Sequence, residues 1–343
     1  MMKTGFSLLA GTGLLLLSGF AHSAPPQTNY HEVKKIELGG EGGWDYLTFD
    51  GDAQRLYVSH TNVVVVVDVA KGAKVGEIPG TTGVHGIALA PKLNRGFTSN
   101  GRDNSVTLFD LKTLKVLDTV KVGKNPDCIL FDPATNRVFT FNGNGADATA
   151  IDAATGKVAG TIPLEGRPEF AVTDGKGEIF VNIEDKSEIV ALDAKALTVK
   201  HRWPIAPGEE PSGLAMDVAH RRLFAVCSNE KMVVMDADSG KVVATPTVGK
   251  GPDASAFDPG LGLAYSSNGQ DGTLTLVHED APNTFRVAAT VPTQRGARTM
   301  ALDPKTHHVF LATARFKAPA AGTPAGRRPA MEPNSFMILV YAP

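Results

Sequence analysis

Seven segments of this chain lie over one another: GWDYLTFD, GVHGIALA, NPDCILFD, RPEFAVTD, EPSGLAMD, GPDASAFD and GARTMALD, starting at Gly43, Gly83, Asn125, Arg167, Glu210, Gly251 and Gly296. The spacing between starts is 40, 42, 42, 43, 41 and 45 residues. After each segment comes a turn and a second apolar stretch: RLYVSH, RGFTSN, RVFTFN, EIFVNI, RLFAVC, LAYSSN, HVFLAT. A third follows, closed by Asp in VVVVVD, SVTLFD, ATAID, IVALD and MVVMD, and turns such as AATGK or ADSGK lead into a fourth. Four short strands in a period near 42 residues predict an all-β, seven-bladed β-propeller with four-stranded blades. No helical period competes with this reading. Length alone would admit two domains among 343 residues, but one ring uses the whole repeat region.

The pattern also predicts how the ring closes. The last repeat has three strands and then the chain ends, whereas HEVKKIEL at 31–38 reads as a fourth strand with no blade before it. Pairing the two removes an open sheet edge.

The second strands YVSH, FTSN, FTFN and YSSN, with the phrases DAATGKVAGTI and VGKNPDCILFDP, resemble the YVTN repeats of YncE-like periplasmic propellers over about residues 30–343. The resemblance implies the propeller fold. Relatives of this architecture include lactonases, streptogramin lyases, amine dehydrogenase subunits, surface-layer proteins and a single-stranded-DNA binder, so no one activity is implied.

Residues 1–24 carry Lys3, the uncharged run FSLLAGTGLLLLSGF and the small residues AHSA. They read as a signal peptide cleaved between about Ala21 and Ala24, leaving 25–343 as one domain in the periplasm. The competing N-terminal anchor is disfavoured by a short apolar core with Pro25 and Pro26 directly after it. No later segment is long and apolar enough to span a membrane. Cys128 and Cys227 each sit in an apolar strand pattern of a different repeat and read as buried thiols, not a disulfide. A formal net charge of -2 gives no basic surplus for nucleic-acid binding.

Inner strands of a propeller line a central channel and begin at the face where ligands bind. The third aligned residues are Asp45, His85, Asp127, Glu169, Ser212, Asp253 and Arg298. Strand alternation aims all seven at the axis, so they form the expected ligand-binding rim. Four carboxylates against one arginine repel one another unless Arg298 or a cation intervenes. Asp127, Glu169 and Asp253 would supply hard oxygens to calcium, while His60 and His85 beside Asp45 would suit zinc. The bland alternative is a solvated mouth bridged by Arg298.

The loops on the same face carry His60, Asn100, Arg102, Asn142, Asn182, Asn229, Asn268 and Arg315, with the asparagines also readable as turn residues. Trp44 reads as inter-blade packing, with an aromatic wall of the site as its rival. The long loop at about 315–334, containing Lys317, Arg327 and Arg328, is a candidate lid over the acidic rim. His220, His307 and His308 fall in turns of the opposite face and read as solvated.

Two functions remain open, while single-stranded nucleic-acid binding, a third suggested by family resemblance, wants a basic groove and stacking aromatics that the chain does not offer in quantity. One is a monomeric binder of a small molecule, cation or protein partner at the channel mouth. The other is a lactonase-like hydrolase or isomerase, with Glu169 or Asp127 as base, His85 as acid or base and Arg298 holding an anionic oxygen.

Overall fold

The structure, a computed structural model, describes residues 1–2, 28–281, 283–317 and 330–343. The predicted signal segment falls almost wholly outside the described residues, as do Arg327 and Arg328. The described chain forms seven four-stranded antiparallel sheets arranged as a β-propeller. Two three-residue 3-10 turns, Pro91–Leu93 and Glu184–Lys186, interrupt the strands. No described helix is long and apolar enough to cross a membrane.

Each blade has the burial its sequence dictates. Second and third strands lie between neighbouring blades, so Arg55–His60 and Val63–Asp68 are buried on both faces, and near-continuous apolar runs replace alternation. Outer strands such as Val116–Lys121 are largely exposed and read as mixed. The third residue of every second strand is an aromatic that is essentially inaccessible: Tyr57, Phe97, Phe139, Phe180, Phe224, Tyr265 and Phe310. Truncating one such ring costs about 3–5 kcal/mol, so these positions fix the blade spacing.

The turns repeat as well. The Asp closing each of five third strands accepts backbone N–H groups of its own turn: Asp68 from Lys71, Asp110 from Lys112 and Thr113, Asp152 from Thr155, Asp193 from Lys195 and Ala196, Asp236 from Asp238 and Ser239. Arg at the head of three second strands crosses to the next blade's turn, Arg55 to the Leu111 carbonyl (2.7 Å), Arg95 to Ala153 (3.1 Å) and Arg137 to Ala194 (2.8 Å).

Closure follows the predicted route. His31–Glu37 pairs with Met337–Ala342, completing the seventh sheet. Ile36 is buried there, and the Tyr30 hydroxyl meets that of Tyr265 at 2.8 Å and donates to the His307 carbonyl at 2.9 Å. In blade 6 the outer hairpin Thr273–Ala281/Thr284–Pro292 is lengthened, and in blade 5 the outer strand shrinks to Val242–Ala244. Phe285 of that hairpin packs on Phe224 of blade 5 at 5.9 Å, filling the gap. Cys128 and Cys227 are free, buried thiols.

Candidate functional site

The seven rim positions are equivalent in space: six are the second residue of an inner strand, Arg298 directly precedes one, and each is half-buried. Alternation alone does not put them there. In six blades the pairing between inner and second strand skips at this point, between Trp44 and Leu47, Val84 and Ile87, Pro126 and Ile129, Pro168 and Ala171, Pro211 and Leu214, and Pro252 and Ala254. Such bulges re-aim the unpaired residues. Asp45, His85, Asp127, Glu169, Ser212 and Asp253 sit inside them.

Five of the seven are linked in a chain around the mouth. Arg298 donates to the carboxylate of Asp253, to the Trp44 carbonyl (2.8 Å) and, at the edge of hydrogen-bonding range, to Asp45 (3.5 Å). The other Asp45 oxygen meets His85 Nδ1 at 2.6 Å, and Asp127 Oδ1 lies 3.7 Å from the same nitrogen. Asp45, His85 and Asp127 thus offer one ligand atom each, all within 4.8 Å of one another. The trio Asp127, Glu169 and Asp253 does not converge in this way among the described residues. Ser212 turns its hydroxyl to the Pro252 and Asp253 carbonyls of the next blade (3.2 and 3.1 Å). Glu169 has no hydrogen bond or ion pair among the described residues.

That isolation sets its chemistry. Burial first, then the charges of Asp127, Glu184, Asp253 and Asp45, push the Glu169 carboxyl up to about 9, so it is neutral at pH 7. Burial raises Asp127 too, partly offset by His85 and by donation from the Tyr46 hydroxyl, to about 6. Burial opposes charge on His85, but the bond to Asp45 and the negative charges of Asp127 and Asp45 outweigh it, and its pKa is raised. The same balance, with Asp253 and Asp45 as partners, keeps Arg298 charged. A count of four ionised carboxylates therefore overstates the negative charge of the mouth.

The remaining expectations fare differently. His60 is not beside His85: its ring is buried and stacks on Phe336 at 4.4 Å, with Nε2 lacking a partner. It ends its strand where other blades carry Asn100, Asn142 and Asn268, and all four side chains are buried. Those asparagines are structural. Each donates to hydroxyls of its own blade, Asn100 to Ser105 and Thr107, Asn142 to Thr149, Asn268 to Thr273 and Thr275. Asn182 reaches instead to the Ser212 carbonyl of the next blade at 2.7 Å. Trp44 packs between blades on Phe336 (5.3 Å) and Phe316 (6.3 Å). The long loop leaves and re-enters the ring as a paired stub, Phe316 bridging to Met331 and Lys317 N–H donating to Ala330. His307 and His308 are half-buried rather than solvated, and His307 pairs with Asp258 at 2.7 Å.

Sequence reasoning missed three contributors. Ser99 accepts the Gly86 N–H at 2.8 Å and donates to the Asp127 carbonyl, tying the bulges that present His85 and Asp127 on adjacent blades. Ser59 and Ser267 act similarly on Asp45 N–H and the Arg298 carbonyl. The signal was the Ser of YVSH, FTSN and YSSN. Gly101 is the second: a Cβ there would sit 2.7 Å from His85 Nε2, so only glycine leaves room for the ring. Tyr46 is the third. Its ring meets Phe170 of blade 4 at 5.2 Å, a contact from blade 1 across the axis that floors the mouth.

Two comparisons between whole sequences found nothing: no family model and no curated protein matches the chain. Solved structures do. A Kuenenia stuttgartiensis hydrazine synthase chain superposes with a TM-score of 0.69 at 16% identity, covering 78% of this chain and 92% of that one. A structure of U3-55K gives a TM-score of 0.73 at 9% identity, covering 92% of this chain and 99% of that one. At such identities the likeness is one of fold, and the chain is a seven-bladed β-propeller.

Proposed function

We propose that this propeller is a binding protein of the YncE-like type whose channel mouth takes up a divalent transition-metal ion, through Asp45, His85 and Asp127. The observation that carries the reading is the convergence of one imidazole nitrogen and two carboxylate oxygens from three successive blades. One nitrogen and two oxygens suit zinc, or manganese, better than calcium, which prefers six or more oxygens. The short Asp45–His85 contact would open to about 3.3 Å around a tetrahedral ion, and binding would release the proton that His85 shares with Asp45. Three protein ligands leave further positions for an oxygen-bearing small molecule, with Arg298 and neutral Glu169 as neighbouring donors. Tyr46 closes the floor, so the ligand enters from one face.

A second reading, hydrolysis or isomerisation of a small ester or lactone, is favoured by one observation: the 2.6 Å Asp45–His85 contact orients an imidazole as in acid–base dyads. The apolar leader supports export to the periplasm, which the N-terminal sequence of the mature protein would test. For the metal, thermal unfolding after EDTA treatment should show zinc or manganese raising the melting temperature by several degrees, with calcium giving less. His85→Ala should abolish the effect. No stabilisation by any of these ions at millimolar concentration would leave the mouth as a metal-free site and favour the second reading.

A further inference from the structure

We propose that the opposite end of the central channel is a second binding site, for a small molecule with an apolar body and a cationic head. The Tyr46–Phe170 contact divides the channel, and below it lies a recess of about 500 Å³. Its walls are the inner strands of blades 1 to 4 from their middles onward, with Gly51, Asp52 and Pro91 of the following turns. The recess is broad and open on one side, so an occupant would keep part of its surface in water.

The lining is unusual for a solvated channel. Phe49, Leu89, Leu130, Phe131 and Phe170 all contribute to it, and each is only half-buried. Large apolar side chains left partly uncovered around one concavity mark a binding surface when they cluster. Part of the polar lining is spent internally, leaving Asp52 and the second Asp50 oxygen. Thr48 donates its hydroxyl to the Ile87 carbonyl of the next blade at 2.7 Å, and Asp50 accepts N–H groups from Asp52 and Ala53.

Charge selects the occupant. The charged residues among those lining the recess are Asp50 and Asp52, both acidic, and Asp52 is exposed in the turn at its lip. An apolar body can displace water from the phenylalanines while a cationic head meets these carboxylates and, at close range, a phenyl face. The end formed by Tyr46 and Phe170 stops a long chain from threading through, which favours a compact molecule over an extended peptide.

The test uses berberine, a planar aromatic cation that brightens in apolar surroundings, against anionic 8-anilinonaphthalene-1-sulfonate. Berberine should bind saturably at one per chain, and Asp52→Lys should weaken it at least fivefold while improving the anionic dye. Leu89→Arg, which places a cation among the apolar walls, should abolish berberine binding. Should that variant misfold, the exposed Asp52→Lys decides alone. Absence of saturable berberine binding, or equal affinity in Asp52→Lys and the parent, would overturn the proposal.

Discussion

Replacing Glu169 with glutamine keeps its shape and removes its ability to ionise, and this should stabilise the protein in a pH-dependent way. The carboxyl is raised to about 9 in the fold, chiefly by burial and next by Asp127, against an ordinary value of 4.5. Between those two pH values the folded state holds a proton that the unfolded chain has lost. Stability associated with Glu169 is therefore present in full below pH 4.5 and declines as pH rises toward 9. Each pH unit in that window is worth roughly 1.4 kcal/mol, giving a ceiling of about 4 kcal/mol at pH 7.5. The mouth is open to water, which screens the neighbours and reduces this to about 1–2 kcal/mol. For a ring of this size that is a rise of roughly 2–4 °C in melting temperature. Calorimetry in EDTA at pH 5 and pH 8 measures it. The variant should match the parent at pH 5 and exceed it at pH 8. An equal difference at both values, or a less stable variant at pH 8, would refute the argument that Glu169 is held neutral by its surroundings.

Three other outcomes are expected. Ser99→Ala removes the bond between the bulges of blades 2 and 3, which should cost about 1–3 kcal/mol as the Gly86 N–H and Asp127 carbonyl lose their partner, and should weaken zinc binding in calorimetric titration by more than a remote variant of equal stability does. Ile36→Ala in the closing strand should cost about 2–4 kcal/mol by chemical denaturation, and truncating the chain through residue 38 should destabilise far more, since it exposes an edge of the seventh sheet. The turn carboxylates Asp68, Asp110, Asp152, Asp193 and Asp236 all have lowered pKa values, through turn hydrogen bonds that outweigh burial. Their contribution is complete above the ordinary carboxylate pKa near 3.8 and fades below it, so melting temperature should fall steeply from pH 4 to pH 2 and less so in a variant with three of them changed to Asn.

The fold was legible because its determinants are local and repeated. An aromatic at the third place of every second strand and an Asp closing most third strands recur in register, so one blade explains the others. The orphan strand at 31–38 was legible because sheet edges need partners. The site was only half legible. The rim residues could be aligned, yet their convergence depends on a bulge and a serine bridge, neither of which strand periodicity encodes. His60 was misplaced for a related reason: as the last residue of its strand it is buried like Asn100, not exposed like a loop residue. Tyr46 was invisible because its contact with Phe170 joins blades 1 and 4, and no period near 42 residues reports on contacts across the axis.

The central claim is that Asp45, His85 and Asp127 form a single metal site. Isothermal titration of zinc into EDTA-stripped, dialysed protein at pH 7.5 tests it most directly, with His85→Ala, Asp45→Asn and Asp127→Asn alongside. Zinc at this site is expected in the parent, lost in His85→Ala and weakened at least tenfold in each carboxylate variant, while Asp253→Asn retains it and His220→Ala removes any second zinc held by Asp217, His220 and Glu279. Zinc that binds the three variants as tightly as the parent, or that does not bind the parent, would contradict the account.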